Sequence, residues 1–142
     1  MNLARLVHAT LFAAALFASP AFAQTFKMPC EVEATIPAME DVKIKPQKVV
    51  IEIQSMGKNI FLKMNGPEPY LLMANSLATE DYTGKNLTTP KEMGAFRKHK
   101  LTGAESEIRI EQATVIVTAY HDTTYMGKKV RVNITGPCSV PR

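Results

Sequence analysis

Apolar and polar side chains alternate along most of this chain with a period of two, the spacing of a strand that buries one face. Cys30, Val32, Ala34 and Ile36 alternate with Glu31, Glu33 and Thr35, which puts the first cysteine on the apolar face of the first predicted strand. Val42 and Ile44 alternate with Lys43 and Lys45 until Pro46 interrupts. Val49, Ile51 and Ile53 share one face, and Ile60, Leu62 and Met64 resume it after Ser55-Met56-Gly57-Lys58. Glycine in so short a connection supplies the positive φ of a tight turn, so a β-hairpin is expected from about Lys48 to Asn65.

The middle of the chain is less regular. Gly66-Pro67-Glu68-Pro69 breaks the pattern. Tyr70–Leu77 is apolar without a clear period and fits either a buried strand or a short helix. Thr83–Thr89 reads as a polar loop around Gly84, and Pro90-Lys91-Glu92-Met93 as a helical turn that Gly94 stops. A strand is expected over Ala95–Leu101, followed by a turn at Thr102-Gly103-Ala104-Glu105. Ile108 and Ile110 lead to Val115, Val117 and Ala119 across Gln112–Thr114, which is either a tight turn or a bulge in one long strand. Tyr125-Met126-Gly127-Lys128 is a further turn, and Val130, Val132 and Ile134 form the last strand. About seven or eight short strands at such spacing specify an all-β fold, a small antiparallel β-barrel or barrel-like sandwich.

The first 23 residues change the setting. Arg5 precedes an apolar run, Leu11 to Ala18, and the stretch closes on Pro20-Ala21-Phe22-Ala23 with small residues where a signal peptidase reads them. Residues 1–23 are therefore expected to be a cleaved signal peptide, and Gln24 to Arg142 one exported domain, periplasmic or secreted. The apolar run is too short to span a bilayer. In an oxidising compartment the two cysteines, Cys30 and Cys138, are expected to pair. Such a bridge would tie the first strand to the end of the last and close a loop of about a hundred residues, for which chain entropy gives ~4.7 kcal/mol. It would also bring the sheet edges together, as a closing barrel requires. The Cys-x-x-Cys spacing of a redox-active pair is absent.

The formal charge of the chain is +4, one less without Arg5. That mild balance, in an exported domain, argues against nucleic acid as a partner. Basic residues gather at Arg97-Lys98-His99-Lys100 and at Lys128, Lys129 and Arg131, as solvated faces or as contacts for an anionic surface.

Catalytic signatures are thin. His99 and His121 are the histidines of the exported domain, and no serine lies in a Gly-x-Ser-x-Gly elbow that either could activate. His121-Asp122 reads as two exposed polar residues beside a turn. Met126, five residues after His121, adds a soft thioether to an imidazole, a pairing that suits Cu(I), although most of the scattered methionines read as core. Glu31 with Glu33, and Glu105 with Glu107, are carboxylate pairs about 7 Å apart along a strand, on the face expected to meet solvent. Asn86-Leu87-Thr88 and Asn133-Ile134-Thr135 match the glycosylation sequon, which has meaning only in a eukaryotic source.

In size, leader, strand number and cysteine placement the layout resembles small periplasmic β-barrels, among them lipocalin-like lipid binders and the barrel-shaped inhibitors of lysozyme. The resemblance implies an internal ligand or a loop offered to a partner. Thr102-Gly103-Ala104-Glu105-Ser106 has the size of an inhibitory loop without its motif. The leading expectation is a non-catalytic binding module, without a cofactor, that meets a protein or anionic envelope partner through Tyr125, Lys128 and Lys129. The alternatives are a lipocalin-like carrier of a small apolar ligand, and a small hydrolase or copper-binding protein using His99 or His121.

Overall fold

A computed structural model describes residues 24–140, so the expected signal peptide, residues 1–23, lies outside the described residues. Among the described residues nine antiparallel strands form a nearly closed barrel: β1 (Gln24–Thr35), β2 (Gln47–Met56), β3 (Asn59–Asn65), β4 (Leu72–Asn75), β5 (Tyr82–Asn86), β6 (Glu92–His99), β7 (Glu105–Glu111), β8 (Ile116–Tyr125) and β9 (Lys128–Pro137). Their order around the sheet is β4-β3-β2-β1-β9-β8-β7-β6-β5. Among the described residues no helix is long and apolar enough to cross a membrane.

The alternation places the core as expected. Met28, Cys30, Val32 and Ala34 of β1 point inward, as do Val49, Ile51 and Ile53 of β2, Ile60, Leu62 and Met64 of β3, and Val130, Val132 and Ile134 of β9. These inward side chains form one buried hydrophobic cluster, and each fully buried Ile, Leu or Met contributes roughly 1.5–3 kcal/mol over its exposed state. Tyr70, 1 % exposed, joins this core with its hydroxyl donating to the Lys45 carbonyl at 2.7 Å.

Several local expectations are revised. Tyr70–Leu77 resolves to the short strand β4, not a helix. The polar stretch Thr83–Thr89 contains β5, and Glu92 opens β6 where a helical turn was expected. Edge strands bury little, so β5 shows no alternation that a sequence could announce. Val42 and Ile44 belong to no strand; the only helix among the described residues, a single 3₁₀ turn over Pro37–Met39, precedes them. Gln112–Thr114 is a turn between separate strands, with Val115 at φ 55°.

Cys30 and Cys138 are joined, but not at the sheet edges. β1 and β9 are neighbours in mid-sheet, and the edges are β4 and β5. The chain therefore makes two sub-sheets, β1–β4 and β5–β9, that meet twice. At the first junction β1 and β9 share only three ladder pairs, Glu33–Thr35 against Thr135–Asn133, and the disulfide clamps the frayed side of that ladder. At the second, β4 lies against β6 and β7 with no backbone ladder between them among the described residues. Side chains close this seam: Ser106 Oγ donates to the Met73 carbonyl, His121 Nε2 meets the Pro69 carbonyl at 2.7 Å, and Asn86 Nδ2 reaches the Lys58 carbonyl at 3.0 Å. Gly84 lets β5 approach closely, because a Cβ there would stand 2.6 Å from the Ser76 carbonyl.

Candidate binding surface at the loop end of the barrel

Antiparallel pairing gathers the ends of β1, β6 and β8 and the starts of β7 and β9 at one end of the barrel. Two turns project there. The β6–β7 turn carries Leu101, 88 % exposed, and the β8–β9 turn carries Met126, 70 % exposed. Between them runs an open groove of about 510 Å³, bordered by Thr102–Ala104 on one side and Thr123, Thr124 and Lys129 on the other.

The β8–β9 turn is a two-residue loop with Met126 at φ 50° and Gly127 at φ 76°. Positive φ at both positions matches the twist of the flanking strands, and Asn or Gly is the usual first residue. A methionine there works against the local backbone preference by about 1 kcal/mol and also exposes an apolar side chain. Lys128 and Lys129 follow it, exposed and without an ion pair among the described residues. Tyr125 differs: its ring is half buried against the core.

The two basic clusters differ in how far their charges are engaged. Arg131 is engaged by Asp122 at 2.7 and 2.9 Å and by Glu105 at 3.1 Å, while its guanidinium covers the Tyr120 ring at 4.5 Å. The Arg131 hydrogen bond holds the Asp122 carboxyl below the usual range. Lys98 adds a 3.7 Å contact to Glu105, and Lys100 donates to the Thr79 carbonyl at 2.9 Å.

A second opening lies at the seam, a cleft of about 280 Å³. His121, Ser106 and Arg97 occupy one cross-strand row, Arg97 opposite Ser106 and Ser106 opposite His121, and all three line the cleft. The next row carries His99, opposite Tyr82. The inward face that is apolar at Ala95, Ile108 and Ala119 turns polar at this end. His121 is 6 % exposed, which corrects its reading as a solvent-facing residue; the period-two run Val117, Ala119, His121 already placed it inside. His99 Nδ1 accepts the backbone N–H groups of Leu101 and Thr102 at 3.2 and 3.1 Å, holding the β6–β7 turn in shape.

Ser106 and His121 are cross-strand partners, yet each is bonded to a different carbonyl of the opposite sub-sheet and neither to the other, so no serine–base pair is formed. Among the described residues no group of three His, Cys, Asp or Glu side chains is gathered for a metal. Glu105 and Glu107 turn outward onto Arg131 and Arg109, and Glu31 onto Lys48.

Burial pushes the His121 imidazole below its ordinary pKa, against the raising influence of the Pro69 carbonyl, Glu68 and Asp122. The unfolded chain then takes up the proton first as pH falls. Stability from a neutral His121 is complete above about pH 6.5 and is lost as pH falls through the lower folded value. The denaturation midpoint is expected to decline from pH 7.5 to pH 5 in the native chain and to decline less in His121→Gln, whose amide can still donate to Pro69. Parallel declines in urea titrations of both proteins would remove His121 from this role.

No family model matches the chain, and no curated protein matches it.

Proposed function

We propose that this protein is an exported, non-catalytic binding module that meets a protein or envelope partner with the loop end of its barrel. The single observation that carries the reading is Met126, an exposed apolar residue in left-handed backbone at a turn tip. Leu101 on the neighbouring turn extends the apolar contact, and the exposed Lys128 and Lys129 favour an acidic rim on the partner. Export is consistent with the Cys30–Cys138 bridge, which persists in an oxidising compartment. The carrier alternative draws less support, because the inward side chains pack into one hydrophobic cluster.

The half-buried Tyr125 makes a poor test position, since its loss would also disturb packing. Met126→Asn with Lys129→Ala keeps the turn and removes the contact. Immobilised native protein is expected to retain a partner from envelope extract that the variant retains about tenfold less, as loss of a contact hot spot implies. The variant should melt no lower than the native chain, because Asn suits positive φ. Equal capture by both proteins would sink the loop-end reading.

A further inference from the structure

The surroundings of Arg97, in the seam cleft, are built for its guanidinium yet, among the described residues, leave its hydrogen-bonding capacity unspent. Its guanidinium lies over the Tyr82 ring at 4.0 Å, and that ring is held edge-on by His99 with centroids 4.9 Å apart. Tyr82 and His99 are register partners at the ends of β5 and β6, so the platform is fixed by the ladder and not by a loop. Stacking fixes the plane of a guanidinium while leaving its N–H edge open, and that edge matches a carboxylate through two parallel hydrogen bonds. Among the described residues no acceptor takes any of the five Arg97 N–H groups.

The rest of the lining supports the same ligand. Lys63, from the opposite sub-sheet, borders the cleft and also lacks an ion pair among the described residues. The two acids at the cleft, Glu105 and Asp122, are already engaged by Lys98 and Arg131, so they leave the positive charge of Arg97 and Lys63 uncompensated. The Tyr82 hydroxyl and His121 Nδ1 have no hydrogen-bond partner among the described residues either. Leu71, Leu72 and Met73 supply an apolar wall. A free phosphate would leave that wall uncovered, and a volume of about 280 Å³ falls just below the range of drug-sized pockets, roughly 300–1,000 Å³.

We infer that the seam cleft is a binding site for a small monocarboxylic acid with an apolar body, its carboxylate on Arg97 and Lys63 and its body against Leu71–Met73. This inference does not rest on the loop-end contact, although the two openings share Thr102, Ala104 and Asp122.

The test is an amide NMR titration of the disulfide-bonded protein with hexanoate, using hexanamide and inorganic phosphate as controls. Saturable shifts are expected at Tyr82, His99, Ser106 and His121 with hexanoate, and weaker ones with either control. Arg97→Gln should weaken hexanoate at least tenfold while the chain stays folded. Should that variant lose its native spectrum, Lys63→Gln on the other wall replaces it, with a severalfold loss expected. The inference is overturned by no saturable shift with hexanoate, by equal binding of hexanamide or phosphate, or by full affinity in the folded variant.

Discussion

A Cys30→Ala, Cys138→Ala variant is expected to melt about 10–20 °C below the oxidised native protein, a loss of about 4 kcal/mol. The size of the effect comes from where the bridge sits. The sequence separation is 108, so the unfolded chain regains a long loop when the bridge is absent. In the folded state the bond guards the weakest ladder of the sheet, the three pairs between β1 and β9. Around it, Ser139 N donates to the Pro29 carbonyl and Cys138 N to the Val115 carbonyl, both at 2.8 Å. Without the bridge these contacts must position the C-terminal tail by themselves. Calorimetry of the two proteins checks this, and a difference under about 3 °C would mean that ladder and core hold the junction unaided.

Gly136→Ala is expected to cost about 3 kcal/mol or more, at the severe end of overpacking. A Cβ at this position would overlap the Glu31 carbonyl oxygen and come within 2.8 Å of Val32 Cα and 2.9 Å of the Glu31 carbonyl carbon. All three are backbone atoms of β1, so no rotamer change makes room. β9 would have to move away from β1 beside the Glu33–Thr135 pair, the first of the three that join them. Because this change and loss of the disulfide strain one junction, their effects should couple and not simply add. Urea denaturation of the two variants and their combination reads this directly. A Gly136→Ala midpoint within error of the native value would show that the strands can part without penalty.

The core was legible because nearly every strand that forms it is buried on one face, and parity then assigns each inward residue. β5 escaped because Tyr82–Asn86 is an edge strand whose pairing with β6 and close approach to Asn75–Ser76 leave no hydrophobic signature. His121 was legible in principle: it continues the parity of Val117 and Ala119, but a polar side chain beside a turn ordinarily faces water. The Met126 turn was visible from its Tyr-Met-Gly-Lys sequence, whereas the left-handed backbone of Met126 was not. The seam cleft could not be read at all. Tyr82 and His99 meet through a strand register, and Lys63 reaches the same cleft from the other sub-sheet, so neither juxtaposition leaves a trace in local spacing.

The placement of the disulfide also decides how this molecule bears tension. A pull on the two ends of the chain travels from the early residues of β1 to Cys30, crosses the sulfur–sulfur bond, and leaves through the residues after Cys138. The ladder of Gln24–Pro29 with β2 takes the strain first, and once that stretch peels away the rest of the loop between the cysteines is bypassed. The oxidised barrel is thus mechanically shielded, a short tether with a folded body hanging from it. Reduction puts the 108-residue span in series with the force, and unfolding then releases on the order of 380 Å of extended chain.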